Sequence, residues 1–233
     1  MQLIQYFKIT VFSLMIITFF KCGSSEAADK IAKNVKEVAK SPTKSKENSS
    51  DKKTIVFFGD SITAGYGLDE EQAFPALIQS KMDSLGLKYR SVNAGLSGET
   101  TAGGLRRVDW ILKQKIDVFL LELGGNDGLR GLDPQNTYEN LKGIIEKVQA
   151  KYPSCKIILA GMEAPPNMGK DFTDKFRQNY TKLAKEFSLP LIPFVLEKVA
   201  GRSELNQPDG IHPTSEGHKL VMETIWETLK TVL

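Results

Sequence analysis

A serine becomes a nucleophile at neutral pH only when a base takes its proton, and this 233-residue chain offers two histidines for that work. His212 lies in "QPDGIHPT", between Pro208 and Pro213, with Asp209-Gly210 forming a tight turn. Pro213 biases the backbone of His212 towards an extended conformation. Asp209, three residues before His212, is near enough to receive the imidazole Nδ1–H and fix the tautomer, the orienting role of a triad acid. His218 falls six residues later, inside the last helical stretch, and reads as a surface or helix-packing residue. The matching serine stands in "IVFFGDSITAGYG", residues 55–67, where four apolar residues run into Gly59-Asp60-Ser61. Read alone, Ser61 is a helix cap sooner than a nucleophile.

Acyl chemistry also needs donors for a developing oxyanion. "LSGET" offers Gly98, whose backbone N–H can approach a ligand with no side chain in the way. "ELGGNDG" presents the Asn126 amide from a double-glycine turn. Taken singly, Gly98 is an ordinary turn glycine and Asn126-Asp127 an Asx-turn or helix start. The two cysteines, Cys22 and Cys155, form no cluster with histidine at metal-ligand spacing, so no metal site is expected, and serine chemistry of this kind needs no cofactor.

The elements that must position these residues alternate along the chain. Short β-rich runs are Thr54–Gly59, Tyr89–Asn93, Val118–Leu123, Lys156–Gly161 and Leu191–Val195. Helical patterns cover Phe74–Leu85, Gly104–Gln114, Tyr138–Lys151, Asp171–Phe187 and Ser215–Val232. Several strands are continuous apolar runs, as expected where helices cover both sheet faces. The alternation predicts an α/β fold, a three-layer α/β/α sandwich on a five-stranded parallel sheet, in one domain over residues 54–233. Ligands of such sheets bind beyond the carboxyl ends of the strands, where Ser61, Gly98 and Asn126 all fall.

In this order, Gly59-Asp60-Ser61, Gly98, Asn126 and Asp209-x-x-His212 closely resemble the SGNH branch of the GDSL esterase/lipase family. The strings "GDSITAGY", "NAGLSGET", "LELGGNDGLRG" and "DGIHP" are nearest to its bacterial periplasmic thioesterase I/lysophospholipase (arylesterase) group, over essentially the whole domain. The resemblance implies a flavodoxin-like fold. It makes Ser61 the nucleophile, His212 the general base and then acid, and Asp209 its orienter. The Ser61 and Gly98 N–H groups with the Asn126 amide would form the oxyanion hole, while Asp60 and Asp127 would shape loops. It implies a serine esterase cleaving carboxylic esters or thioesters, such as lysophospholipids, through an acyl-enzyme. A glycan acetylesterase on the same triad, or a non-catalytic lipid- or sugar-binding lipoprotein, are the competing readings. The G-x-S-x-G elbow of α/β-hydrolases is absent, since Thr63 stands at its last glycine. "GMEAPPNMGKDF", which holds Met168, is the least matched part, and Leu68, Phe74 and Met168 are the candidate substrate contacts.

Ahead of the domain, Ile9–Phe20 is a run of twelve largely apolar residues behind Lys8. A bilayer span takes about 20, so the run suits the core of an export signal within residues 1–22. Cys22, followed by Gly23-Ser24-Ser25, resembles the lipidated cysteine of a bacterial lipoprotein, although Lys21 replaces the usual small residue. Ordinary cleavage after "SEA", at Ala27, is the other reading. Residues 23–53 hold eight lysines against five acids and no aromatics, the composition of a disordered tether. The expectation is an exported, periplasmic protein anchored through Cys22. Residues 54–233 carry 21 basic and 23 acidic side chains, so the +3 of the whole chain belongs to the leader and tether, and nucleic acid is not an expected partner. No interaction module is apparent, and a monomer acting on a small acyl ester is expected.

Overall fold

A computed structural model of the chain describes residues 52–233. The export signal, Cys22 and all but the end of the tether lie outside the described residues.

Strand β1 (Lys53–Gly59) leads into the single turn α1 (Ser61–Ala64), then α2 (Phe74–Ser84), β2 (Tyr89–Gly95), α3 (Thr101–Ile111) and β3 (Val118–Glu122). The short α4 (Gly125–Leu129) precedes α5 (Pro134–Lys151), β4 (Lys156–Ala160), α6 (Lys170–Glu186), β5 (Leu191–Ile192) and α7 (Ser215–Leu229). The sheet is parallel throughout, in the order β2-β1-β3-β4-β5. From β1 the chain moves one way to β2, and from β2 it moves the other way to β3. Right-handed crossovers therefore put α2 on one face and α3, α5 and α6 on the other. α7 returns to pack against α2, while α3, α5 and α6 adjoin in sequence.

Burial follows from this order. Ile55 to Phe58 of β1 and Phe119 to Leu121 of β3 lie on inner strands and are fully buried, whereas the edge strand β2 is half exposed. Continuous apolar runs in β1 and β3 are what two helix layers demand. Gly104 sits where a Cβ would come within 2.4 Å of Leu123 Cδ1, so glycine lets α3 close onto the sheet.

Several element boundaries depart from the sequence reading, among them the end of β2 at Gly95 and of α7 at Leu229, and three have a plain physical reason. β5 is two residues long because Pro193 has no N–H to continue the ladder. α3 starts at Thr101, capped by Thr100, whose hydroxyl accepts from Gly103 N–H at 3.3 Å; the glycine pair in its first turn disguises the start. α5 starts at Pro134 behind Asp133, which accepts from Gln135 N–H at 2.8 Å.

The sheet order reverses between β1 and β3, and the crevice outside that switch point is where ligands of such sheets bind. The loops after these two strands carry Ser61 and Asn126.

Candidate active site

β1 ends at Gly59 because the next residues must turn sharply upwards. Asp60 caps α1, its Oδ1 accepting from Ile62 N–H at 3.0 Å. Gly65, in the left-handed region at φ 76°, ends the helix after one turn. Ser61 is thus the first helical residue, and its N–H has no intrahelical partner. It lies against a cavity of about 430 Å³ at the carboxyl edge of the sheet.

The loop before α7 brings His212 to it. His212 Nε2 lies 2.9 Å from Ser61 Oγ, and His212 Nδ1 lies 2.7 Å from Asp209 Oδ2. The ionised carboxylate can only accept, so Nδ1 carries the proton and Nε2 is left to accept from the serine hydroxyl. The other oxygen of Asp209 accepts from Ile211 N–H and His212 N–H, both at 3.0 Å. With the imidazole hydrogen bond leading, these hold the Asp209 carboxyl well below the usual range, at about 2. It therefore stays ionised at neutral pH.

Two residues that the sequence reading did not single out hold this loop. The Gln207 amide donates to Tyr66 O at 2.7 Å and to Pro213 O at 3.0 Å, tying the histidine loop to the turn after α1. A Cβ at Gly67 would come within 2.3 Å of Gln207 Oε1, which together with φ 77° explains the second glycine of "GYG". Tyr66 itself lies over the imidazole of His212, ring centroids 4.6 Å apart. The signal was present in the sequence: Gln207 opens the quoted histidine loop, and Tyr66 stands between Gly65 and Gly67.

The donors converge from two further loops. Gly98, at φ 79°, lines the cavity with Ser61, and its N–H has no acceptor among the described residues. Its carbonyl accepts from the Arg130 guanidinium at 3.0 Å, fixing one side of the peptide. The adjacent Glu99 is buried and paired with Arg107, whose Nε donates to Oε1 at 2.8 Å. Arg107 also lies over the Phe58 ring at 4.2 Å. Asn126, in α4, also lines the cavity; one amide hydrogen goes to Asp60 Oδ2 at 3.2 Å, which leaves the second for a ligand. Burial raises the Asp60 carboxyl to about 6. Asp127 turns the other way, accepting from Thr101 N–H at 2.9 Å and from the Thr101 hydroxyl, so it ties α4 to α3.

The remaining candidates lie elsewhere. Phe74 is fully buried, edge-on to Phe57, and belongs to the core beneath α2. Its position as the first residue of α2 turns its ring inwards rather than towards substrate. Leu68 and Met168 are partly buried but do not line the cavity, and Met168 packs beside Gly131 instead. One wall is made by Met162, Ala164, Pro165 and Pro166 after β4, the other by Phe194, Leu196 and Ala200 after β5. Tyr66, Leu129 and Ile211 stand half exposed at its rim. His218 is buried in α7 and accepts from Phe74 N–H through Nδ1 at 3.1 Å, supplying the acceptor that Ala73 lacks. Burial lowers its titration to about 4, so it stays neutral. Among the described residues no group of acids, histidines and cysteines is arranged to hold a metal ion.

A profile of the GDSL-like lipase/acylhydrolase family matches residues 57–220. The chain is 40% identical to the esterase TesA of Pseudomonas aeruginosa over 181 residues, covering 77% of this chain and 89% of that one. It is 38% identical to the thioesterase 1/protease 1/lysophospholipase L1 of Escherichia coli, covering 77% and 85%. The crystal structure of the psychrotrophic esterase EstA from Pseudoalteromonas, inhibited by monoethylphosphonate, is 34% identical with a TM-score of 0.72, covering 76% of this chain and 97% of that one.

Proposed function

The chain belongs to the GDSL-like lipase/acylhydrolase family and is a serine esterase, and from that premise we propose that Ser61, His212 and Asp209 cleave carboxylic ester or thioester bonds through an acyl-enzyme. The observation that carries this reading is the unbroken chain of contacts from Asp209 through His212 to Ser61 Oγ, ending in a cavity that also holds the Gly98 N–H and the Asn126 amide.

His212 Nε2 takes the hydroxyl proton as Ser61 Oγ attacks the acyl carbon. The carbonyl π pair moves to oxygen, where the Ser61 and Gly98 N–H groups and the free Asn126 hydrogen receive it. As the tetrahedral species collapses, the imidazolium returns its proton to the leaving alkoxide or thiolate. Water then repeats the sequence on the acyl-serine and releases the acid. Asp209 stabilises the imidazolium in both halves without itself becoming protonated.

The largely apolar walls favour a hydrocarbon acyl group, and the relative named thioesterase 1/protease 1/lysophospholipase L1 makes lysophospholipids a favoured substrate class. A series of p-nitrophenyl esters from acetyl to palmitoyl tests this. Turnover should extend to medium or long chains; turnover confined to acetyl would overturn the lysophospholipase reading in favour of an acetylesterase. We also propose export with lipidation at Cys22 and a periplasmic, membrane-tethered enzyme. The mass of the mature N-terminus tests the anchor: an unmodified start at Ala28 would exclude lipidation and leave export standing.

A further inference from the structure

The proposed mechanism leaves one fully buried acid without a task. Glu122 is the last residue of β3 and pairs in register with Gly59, directly beneath the turn that carries Ser61. Its Oε2 accepts from the Thr63 hydroxyl at 2.6 Å and faces Asp60 N–H at 3.4 Å. Its Oε1 has no hydrogen-bond partner among the described residues. Gly59 leaves the room for this contact: a Cβ there would come within 2.1 Å of Thr63 Oγ1 and 2.4 Å of Glu122 Oε2. Three elements thus meet at one carboxyl group, and two of them carry Asp60 and Thr63, the residues on either side of Ser61-Ile62.

We propose that Glu122 is a positioning residue for catalysis, gripping the nucleophile turn from below through Thr63 and Asp60 so that Ser61 Oγ stays on the line to His212. This rests on the serine-hydrolase reading above. Glu122 acts as the neutral acid: burial, and then the nearby Asp60 carboxylate, push its titration well above the usual range, against the weaker pull of the Thr63 and Asp60 donors. Both donors point at Oε2, which makes that atom the carbonyl oxygen and leaves the proton to Oε1. The titratable groups facing it are Asp60 from the β1–α1 turn and the Tyr180 phenol from α6, and Asp127 acts on both of these from α4. All are acids. An ionised Glu122 would therefore repel the Asp60 carboxylate that caps α1 and holds Asn126, disturbing nucleophile and oxyanion donor together.

Glu122→Gln keeps the shape of the neutral acid, whereas Glu122→Ala removes the grip and Thr63→Val removes its hydroxyl partner. Rates are counted per site titrated with a fluorophosphonate, on protein whose folding is checked by circular dichroism. Glu122→Ala and Thr63→Val should lower kcat by roughly 10- to 100-fold with KM little changed, as a small displacement of a reacting group does. Glu122→Gln should restore kcat to within about threefold of wild type and hold it to higher pH, because it has no proton to lose. A folded Thr63→Val or Glu122→Ala with wild-type kcat would overturn the proposal. So would a Glu122→Gln that is as inactive as Glu122→Ala at neutral pH, since that requires the ionised carboxylate. Should Glu122→Ala not fold, Thr63→Val and Glu122→Gln decide the matter. Wild-type protein that the fluorophosphonate does not label would sink the parent reading instead, so the two failures are distinguishable.

Discussion

The two sides of the proposed catalytic centre are held by opposite means. On the serine side the polar groups are buried: Asp60, Thr63 and Glu122 are each no more than 1% exposed, and Asp60 and Glu122 are both pushed towards the protonated form. On the histidine side the acid is open to solvent. The Asp209 side chain is 38% exposed, its carboxyl is pulled down to about 2, and its loop is fixed by a tight turn and the Gln207 amide. A buried carboxyl without full partners is costly, while a solvated one beside an imidazole costs little. The buried groups that support the serine therefore tie activity to stability, and the histidine side separates them.

Substitutions can break this contrast, and the largest effect should come from the nucleophile. Ser61→Ala should lower kcat by roughly 10³- to 10⁶-fold on a p-nitrophenyl ester with little change in melting temperature. Asp209→Asn favours the wrong imidazole tautomer and should cost up to about 10⁴-fold in kcat. Because that side chain is solvated, chemical denaturation should register a change of no more than about 1 kcal/mol. A large loss of stability there would erase the contrast. Asn126→Ala should lower kcat by about 10²- to 10³-fold as one oxyanion donor is lost. It should also destabilise the fold by about 1 kcal/mol, since Asp60 loses a partner. Gln207→Ala should reduce kcat roughly 10-fold by loosening the histidine loop.

The smallest effect is the one that separates the two sides by sign. Asp60 rises from its ordinary 3.8 to about 6, and Glu122 rises from 4.5, so both hold protons that the unfolded chain releases. Their contribution is complete below the unfolded values and is lost as pH rises through the folded ones. Asp209 is lowered from 3.8 to about 2, so its contribution is present above the unfolded value and lost as pH falls towards the folded one. Calorimetry should accordingly find Glu122→Gln gaining melting temperature over wild type as pH rises from about 5 to about 8. Asp209→Asn should show no such trend in that range.

The histidine side was the more legible in sequence. "QPDGIHPT" places acid and base three residues apart in a turn that proline and glycine restrict, and local spacing alone anticipated the contact. The serine side depended on long-range pairing: Glu122 meets Thr63 only because β1 and β3 are neighbours in register, which no local pattern reveals. The parallel sheet could be read from its continuous apolar runs. The ends of α3 and α5 were obscured by a glycine pair and by a cap lying ahead of the apolar period. The acyl wall was least legible, because loop residues such as Phe194 and Leu196 reach the cavity through the early end of β5 at Pro193. Phe74 does not reach the cavity, because its ring packs edge-on to Phe57 in the core beneath α2.

The central claim, that the fold delivers Ser61 as an activated nucleophile, is tested most directly by a fluorophosphonate probe followed by peptide mass spectrometry. The account predicts a single adduct on Ser61, lost in Ser61→Ala and strongly slowed in His212→Ala. Correctly folded wild-type protein that stays unlabelled, or an adduct on another serine with Ser61 untouched, would contradict it.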